Sequence, residues 1–352
     1  MVKRYLVTGM PGFVAPHMAK TLLKEGYEVH GLMRGGTERK NELLGVMSGE
    51  EIDSVKFQYA DLTDRQDIEE IIQKNQYQGV FHLGAQSHQP TSHKDLISTF
   101  KSNIMGTANL IDAIRNYSPE TIFQFTSTSV VYGNLGKDGQ VLTEDTPFDP
   151  IDPYGVSKIA SELQMEERTR NGLINGYTAR PFSHTGPGRP RNFSIACDAY
   201  NLAMLMNGKN PNEDMQSMED LENIDPMKSI SVGNLTPKRS VIDVRDCVEA
   251  YKQLMFNFKE SLNGEVYNVC GEIKDVSPMQ KFTDILIEES GLEGIVQVKD
   301  KRFFRPVKTD IQVQIGDTQK ITNLTGWKPQ IPIKDTLRDL LDYWKQKVED
   351  KY

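Results

Sequence analysis

Short apolar runs recur through the first half of the chain, each followed by a turn of small residues and then a segment whose apolar positions fall three and four apart. The run Lys3-Arg4-Tyr5-Leu6-Val7-Thr8 passes through Gly9-Met10-Pro11-Gly12-Phe13-Val14-Ala15 into an amphipathic stretch reaching about residue 25. The same rhythm predicts strands over 27–33, 55–59, 78–83, 121–125 and 174–179, with helices over 96–117 and from 154 to about 170. Strands separated by helix-length segments predict an α/β fold with a doubly wound parallel sheet, because parallel neighbours need a crossover long enough to hold a helix. Further on the elements shorten: a strand over 239–243, a helix from 244 to about 258, a strand over 265–270 and an amphipathic helix over 336–348. No internal repeat or low-complexity segment interrupts them.

Two lobes follow from this pattern. Residues 1–182, with 234–258 returning to them, form the expected first domain, and 183–233 with 259–352 form a smaller α/β C-terminal substrate lobe. The stretch 207–230 carries Glu213, Asp214, Glu219, Asp220, Glu222 and Asp225 with little periodicity, which predicts a mobile, solvated acidic insertion.

Composition narrows the class. At 352 residues, 38% hydrophobic and 26% charged, the chain has the make-up of an ordinary soluble globular protein with a large core. A net charge of −8 argues against nucleic acid as a partner, so an anionic small molecule needs local arginines. Cys197, Cys247 and Cys270 are scattered, odd in number and without metal-ligand spacing. They read as reduced thiols of a cytoplasmic protein. No signal peptide is expected before the first strand, and no apolar run approaches the ~18 residues that a membrane span requires. His88 and His93 stand five apart on an expected loop, poor spacing for a metal, and no metal site is expected.

The chemistry starts at the first turn. Strand, glycine turn and helix is the setting in which a dinucleotide pyrophosphate rests on a helix N-terminus, so Gly9, Pro11, Gly12, Phe13 and Val14 are candidate cofactor contacts. Ala15 stands where the usual pattern has its last glycine, a small change. At the end of the second strand, Arg34-Gly35-Gly36 replaces the carboxylate that would take ribose hydroxyls. An arginine there suits a 2′-phosphate and predicts NADP(H), with Arg39 and Lys40 as further charge. Asp61, with Leu62 beside it, is placed for the adenine edge. Leu83-Gly84-Ala85-Gln86-Ser87-His88 is a small-residue turn fit to pass beneath the nicotinamide ribose.

The centre of the sequence is Phe125-Thr126-Ser127-Thr128-Ser129-Val130-Val131-Tyr132-Gly133, followed by Asp152-Pro153-Tyr154-Gly155-Val156-Ser157-Lys158. Four residues apart on a helix, Tyr154 and Lys158 share a face. A phenol titrates near ~10, and a fixed cation beside it favours the phenolate, bringing the tyrosine toward general acid/base duty. The hydroxyl run supplies a donor for a carbonyl.

These motifs, in this order and spacing, resemble the extended short-chain dehydrogenase/reductases of the nucleotide-sugar-modifying group over nearly the whole chain. The resemblance implies that Thr128 is the catalytic Ser/Thr, Tyr154 the acid/base, and Lys158 its partner, which also holds the nicotinamide ribose. It implies cofactor contacts at Leu83, Gly84, Ala85 and Pro181. On the substrate side it implies Ser87, His88, Asn103, Thr128, Ser183 (where the family often has asparagine) and Arg189, with Arg239 and Arg305 gripping the substrate pyrophosphate. The 4,6-dehydratases of this group carry a glutamate two residues after the catalytic threonine. Here that position is Val130, which cannot take a proton. The reading that follows is an NADPH-dependent oxidoreductase reducing a GDP-linked 4-keto-6-deoxy sugar at C4. The alternatives are a 4,6-dehydratase or a C4/C5 epimerase with a base from elsewhere, and a non-catalytic NADP-sensing scaffold. The resemblance also implies a homodimer through the helices over 96–117 and 154–170.

Overall fold

The computed structural model describes residues 3–211, 225–304 and 310–350. Seven strands make one sheet: β1 (Arg4–Met10), β2 (Glu28–Met33), β3 (Lys56–Tyr59), β4 (Gly79–His82), β5 (Ile122–Thr126), β6 (Asn175–Pro181) and β7 (Val266–Val269), in the spatial order β7-β6-β5-β4-β1-β2-β3. Every pairing within it is parallel. The central strands are apolar on both faces because both are covered. On one side Met18 and Leu22 of helix Val14–Lys24 pack with Tyr251 and Leu254 of helix Val244–Phe256. On the other, Ile68 and Ile72 of Arg65–Asn75 meet Leu110 and Ile114 of Gly106–Tyr117 and Met165 of Pro153–Arg170. Strand order reverses between β1 and β4, which opens a crevice at their C-terminal ends where this architecture takes its ligand.

The second lobe has its own core. Helices Ser194–Met206, Met279–Ser290 and Ile333–Glu349 bury Leu202, Phe282, Leu286, Leu337, Leu340 and Leu341 against one another. Truncating any one of these to alanine costs about 2–5 kcal/mol by transfer and cavity terms. A small sheet of Ser277–Pro278, Lys238–Arg239, Val313–Gly316 and Val141–Leu142 joins this lobe to the first. The tail is anchored by Trp327, whose Nε1 donates to the Asp246 carbonyl at 3.1 Å. The Asp246 carboxylate in turn accepts from the backbone of Gln330 and Ile331.

Three expectations need correction. The helix over 96–117 is not continuous: Leu96–Phe100 and Gly106–Tyr117 are joined by a π-turn at Lys101–Met105 that inserts an extra residue at Asn103's turn. The strand Val266–Val269 pairs with β6 in the large sheet, so the returning segment continues past 258 into what was assigned to the substrate lobe. Of the acidic stretch over 207–230, Glu213, Asp214, Glu219, Asp220 and Glu222 lie outside the described residues. Its end is no solvated loop, since Ser229–Val232 is a buried strand paired with Val296–Lys299.

Candidate active site

The turns after β1 and β4 touch. Gly9 has φ +90°, and a Cβ there would lie 2.8 Å from the Cα of Gly84, so neither approach nor conformation admits another residue. Gly12 donates its amide to the Gly9 carbonyl at 2.7 Å, and Phe13 and Val14 open the next helix. That helix has neither a side-chain cap nor an acid in its first turn, which leaves its amides and dipole to an anion. A dinucleotide pyrophosphate fits this turn of Gly9, Pro11, Gly12 and Phe13. Leu62 packs beneath Gly84 and Gly106, where added Cβ atoms would meet it at 3.0 and 2.9 Å.

Thr8 fixes the second turn by accepting from the backbone amides of Leu83 (3.1 Å) and Gly84 (2.9 Å). Its hydroxyl also meets His82 Nδ1 at 2.9 Å, and His82 Nε2 meets the Thr107 hydroxyl at 3.0 Å. Thr107 spends its proton on the Asn103 carbonyl. It therefore accepts from Nε2–H, and His82 Nδ1 accepts from Thr8. Burial drives His82 down to about 3, so this imidazole is neutral.

Arg34 stands at the end of β2 with its side chain 74% exposed and only a 3.8 Å pairing to Asp61. Such an exposed pair is worth about 0–1 kcal/mol and leaves the guanidinium free to turn toward a phosphate. Asp61 itself accepts from the Thr63 amide and hydroxyl. Arg39 and Lys40 already have partners on the protein. Arg39 is bound to the Glu42 carboxylate at 2.7 and 3.0 Å and to the Arg34 carbonyl, while Lys40 lies over the Phe57 ring.

Tyr154 enters the helix Pro153–Arg170 just after its N-cap. Asp152 accepts from the Gly155 amide at 2.7 Å, and Gln89 donates to its other oxygen at 2.5 Å. Tyr154, Lys158 and Thr128 are all buried. Each neighbouring hydroxyl has another partner: Thr126 accepts from Gln124, Ser127 donates to Glu162 and Ser129 donates to Gln314. Thr128 accepts from the Val130 amide at 3.2 Å and also hydrogen-bonds the Tyr154 side chain. Val130 packs on the helix start, its Cγ1 3.4 Å from where a Cβ on Gly155 would stand.

The charge relation of the pair differs from expectation. Burial pushes Tyr154 up to about 12, against contact with Thr128 and the charge of Arg189. Burial also takes Lys158 down to about 8, opposed by Glu162, and its Nζ donates to the Thr126 carbonyl at 2.7 Å. The ammonium is thus aimed at the strand and does not draw the phenol toward neutrality. The phenol stays protonated, which is the form an acid needs.

Asn103 uses its whole amide on protein: Oδ1 accepts from the Gln86 amide at 2.8 Å, and Nδ2 donates to the Gln86 carbonyl and the Ser157 hydroxyl. Ser157 then donates to the Tyr154 carbonyl at 2.7 Å. The asparagine therefore ties the turn of Gly84, Ala85 and Gln86 to the helix of Tyr154 through the π-turn.

The segment after Pro181 closes over the glycine turn. His184 stacks on Phe13 with centroids 5.7 Å apart and planes 7° from parallel, and His17 hydrogen-bonds the Pro187 carbonyl. The Arg189 guanidinium lies over the rings of Phe193 (3.7 Å) and Phe13 (4.9 Å). Burial brings Arg189 down to about 10 and His184 to about 4. His88 approaches the Phe193 ring edge-on and bonds Thr91, and Ser87 beside it is exposed. Ser183 is half-buried, its carbonyl taken by Ile242. Arg239 donates to the carbonyls of Lys238, Gln312 and Ile311. Arg305 lies outside the described residues. Among the described residues no group of three or more His, Cys, Asp or Glu could hold a metal, and no helix is long and apolar enough to cross a membrane.

Sequence reasoning missed His82, Ser157, Glu162, Arg180 and Gln314. Only Glu162 left a signal, standing four residues past Lys158 on the same helix face.

Comparison with known proteins agrees with this geometry. The sequence profile of the family described as GDP-mannose 4,6 dehydratase matches residues 6–340. The chain is 27% identical to GDP-6-deoxy-D-mannose reductase of Pseudomonas aeruginosa over 100% of both chains. It is 29% identical to GDP-mannose 4,6-dehydratase of Vibrio cholerae, over 97% of this chain and 93% of that one. Among solved structures it is similar to RMD from Pseudomonas aeruginosa complexed with NADPH, with a TM-score of 0.76 and 25% identity, covering 98% of this chain and 100% of that one.

Proposed function

Because the chain belongs to the GDP-mannose 4,6-dehydratase family, we propose that it reduces a GDP-linked 4-keto-6-deoxy sugar at C4 with NADPH. NADP(H) is the cofactor, and when bound it supplies the hydride. Thr128 donates its hydroxyl proton in a hydrogen bond to the substrate carbonyl, and Tyr154 delivers a proton to that oxygen as it becomes an alkoxide. C4 gains a hydride and its oxygen gains a proton, which converts the ketone to a secondary alcohol and NADPH to NADP⁺. Lys158 holds the ribose and the strand end. Arg34 takes the 2′-phosphate, Gly9, Gly12 and Phe13 the pyrophosphate, and Leu83, Gly84, Ala85 and Pro181 border the nicotinamide end. Arg189, His88 and Ser183 face the sugar-nucleotide, with Arg239 and Arg305 assigned to its pyrophosphate.

The observation that carries reduction over elimination is Val130. At the position where a dehydratase keeps its base this chain has an alkyl side chain packed on Gly155, and both oxygens of the nearby Asp152 are taken. The Pseudomonas relative, named as a reductase, supports the same reading. A dehydratase or epimerase is the second reading, supported by the Vibrio relative's name. Incubation with NADPH and either GDP-mannose or its 4-keto-6-deoxy derivative, followed by product analysis, separates the two.

The reading extends to assembly and place. Val156 and Leu163, seven apart on helix Pro153–Arg170, are exposed opposite the buried Ser157, Lys158 and Ser161, and Leu96, Ile97 and Met105 are exposed on the preceding segment. Two such surfaces pair as a four-helix bundle in a homodimer. The free thiols Cys197, Cys247 and Cys270 support a cytoplasmic setting.

A further inference from the structure

Beneath the active site lies a buried ion pair that the mechanism above does not use. Glu162 and Arg180 are each 5% exposed and meet bidentately, with Nη2 2.6 Å and Nε 3.0 Å from Oε2. Arg180 also donates to the Glu144 carbonyl at 3.1 Å, and further contacts of the pair reach both ends of the segment that carries Thr128. Ser127, the residue before Thr128, donates to Glu162 Oε1. Arg180 Nη1 donates to the Tyr132 hydroxyl at 2.8 Å, and Tyr132 donates to Asn268 at 2.7 Å. Glu162 is one helical turn beyond Lys158, and Arg180 immediately precedes Pro181, where the covering loop begins. A stability argument does not explain the pair, since a buried ion pair is often no better than apolar residues of the same volume.

We propose that Glu162, held by Arg180, is a positioning residue that fixes the Thr128 segment against the catalytic helix. The inference rests on the oxidoreductase reading of the site.

The test compares the full chain with Glu162→Gln and Ser127→Ala, using whichever of reduction, dehydration or epimerisation the unmodified protein catalyses. Failure of the reductase reading then appears in the unmodified protein, and failure of this inference in the variants. Glu162→Gln is expected to lower kcat roughly ten- to a hundredfold, with KM and NADPH affinity within about twofold, because neither ligand touches it. Ser127→Ala, which leaves the ion pair intact, should lower kcat several-fold, again with KM and NADPH affinity within about twofold. A purely structural role would weaken KM and NADPH affinity along with kcat. Variants that bind NADPH normally and keep the wild-type kcat overturn the proposal. Where Glu162→Gln does not fold, Ser127→Ala decides: lowered kcat with intact NADPH binding supports the positioning role, and unchanged kcat overturns it.

Discussion

Lys158 Nζ lies 2.7 Å from the carbonyl oxygen of Thr126, so the cation of the Tyr-x-x-x-Lys pair is bound to the strand that leads to Thr128. The lysine fixes the relation between strand β5 and the catalytic helix, and Tyr154 keeps its proton through burial. The pair is thereby set up to give a proton to a developing alkoxide.

Tyr154→Phe removes the acid while keeping the ring. It should lower turnover by the ~10²–10⁴-fold typical of a lost general acid, with NADPH affinity unchanged. We propose that the ammonium form of Lys158, held to about 8, is the working one, so wild-type turnover should fall as pH rises through that value. A profile that stays flat to well above it would remove the lysine from the account.

We propose that Arg34 sets the cofactor preference. It is exposed and only loosely paired with Asp61, so Arg34→Ala should leave the fold intact and raise the NADPH dissociation constant about tenfold or more, with little change for NADH. Equal affinity of the unmodified protein for the two cofactors would contradict the assignment.

Much of this site was legible because its parts are local. The glycine turn lies between a strand and a helix contiguous in sequence, and Tyr154 and Lys158 share a face by helix geometry alone. What escaped is non-local. Gln314 reaches Ser129 from the second lobe, Arg180 meets Glu162 across a strand–helix contact, and no periodicity in 96–117 marks the π-turn that turns Asn103 inward. The aim of the Lys158 ammonium was also hidden, since residue spacing fixes a face and leaves the hydrogen-bond partner open.

The exposed apolar face of Pro153–Arg170 makes assembly testable. Leu163 is 50% exposed, so Leu163→Asp should leave the monomer folded and prevent pairing of the two helix faces. Light scattering should report a dimer for the wild type and half that mass for the variant. A wild type that runs as a monomer at micromolar concentration would end the proposal.

Asp198 gives the second lobe a pH dependence. It is buried between Ser194–Met206 and Met279–Ser290 with one donor, Thr283 at 2.7 Å, and burial raises its carboxyl to about 7. A carboxyl raised above its unfolded value of ~3.9 favours the protonated folded state, so its contribution is fully present at low pH and is lost as pH climbs through about 7. Asp198→Asn, which cannot ionise, should match the wild type only below about pH 4, gain on it as pH rises from there to about 7, and exceed it in stability by ~2–4 kcal/mol above pH 8. Denaturant midpoints with the same pH dependence in both proteins would show that Asp198 does not ionise in this range.

Val130 separates reduction from elimination. Removing the C5 proton needs a base on that face of the sugar, and in the 126–133 segment every side chain is neutral. Asp152 is the carboxylate whose charge acts on Tyr154, and its oxygens are spent on Gly155 and Gln89. Freeing Oδ1 would unpick the N-cap of the helix that carries Tyr154, at a cost of about 0.5–2 kcal/mol, and freeing Oδ2 would release Gln89. The protein should therefore reduce a supplied GDP-linked 4-ketosugar, leave the parent GDP-hexose unchanged and place no solvent deuterium at C5. A 4-keto-6-deoxy product from the parent sugar would refute this and move the search for the base to His88, His184 and the acidic residues of the second lobe. Burial holds His184 at about 4. An imidazole with so low a pKa is a weak base at neutral pH, which is a further reason to expect reduction.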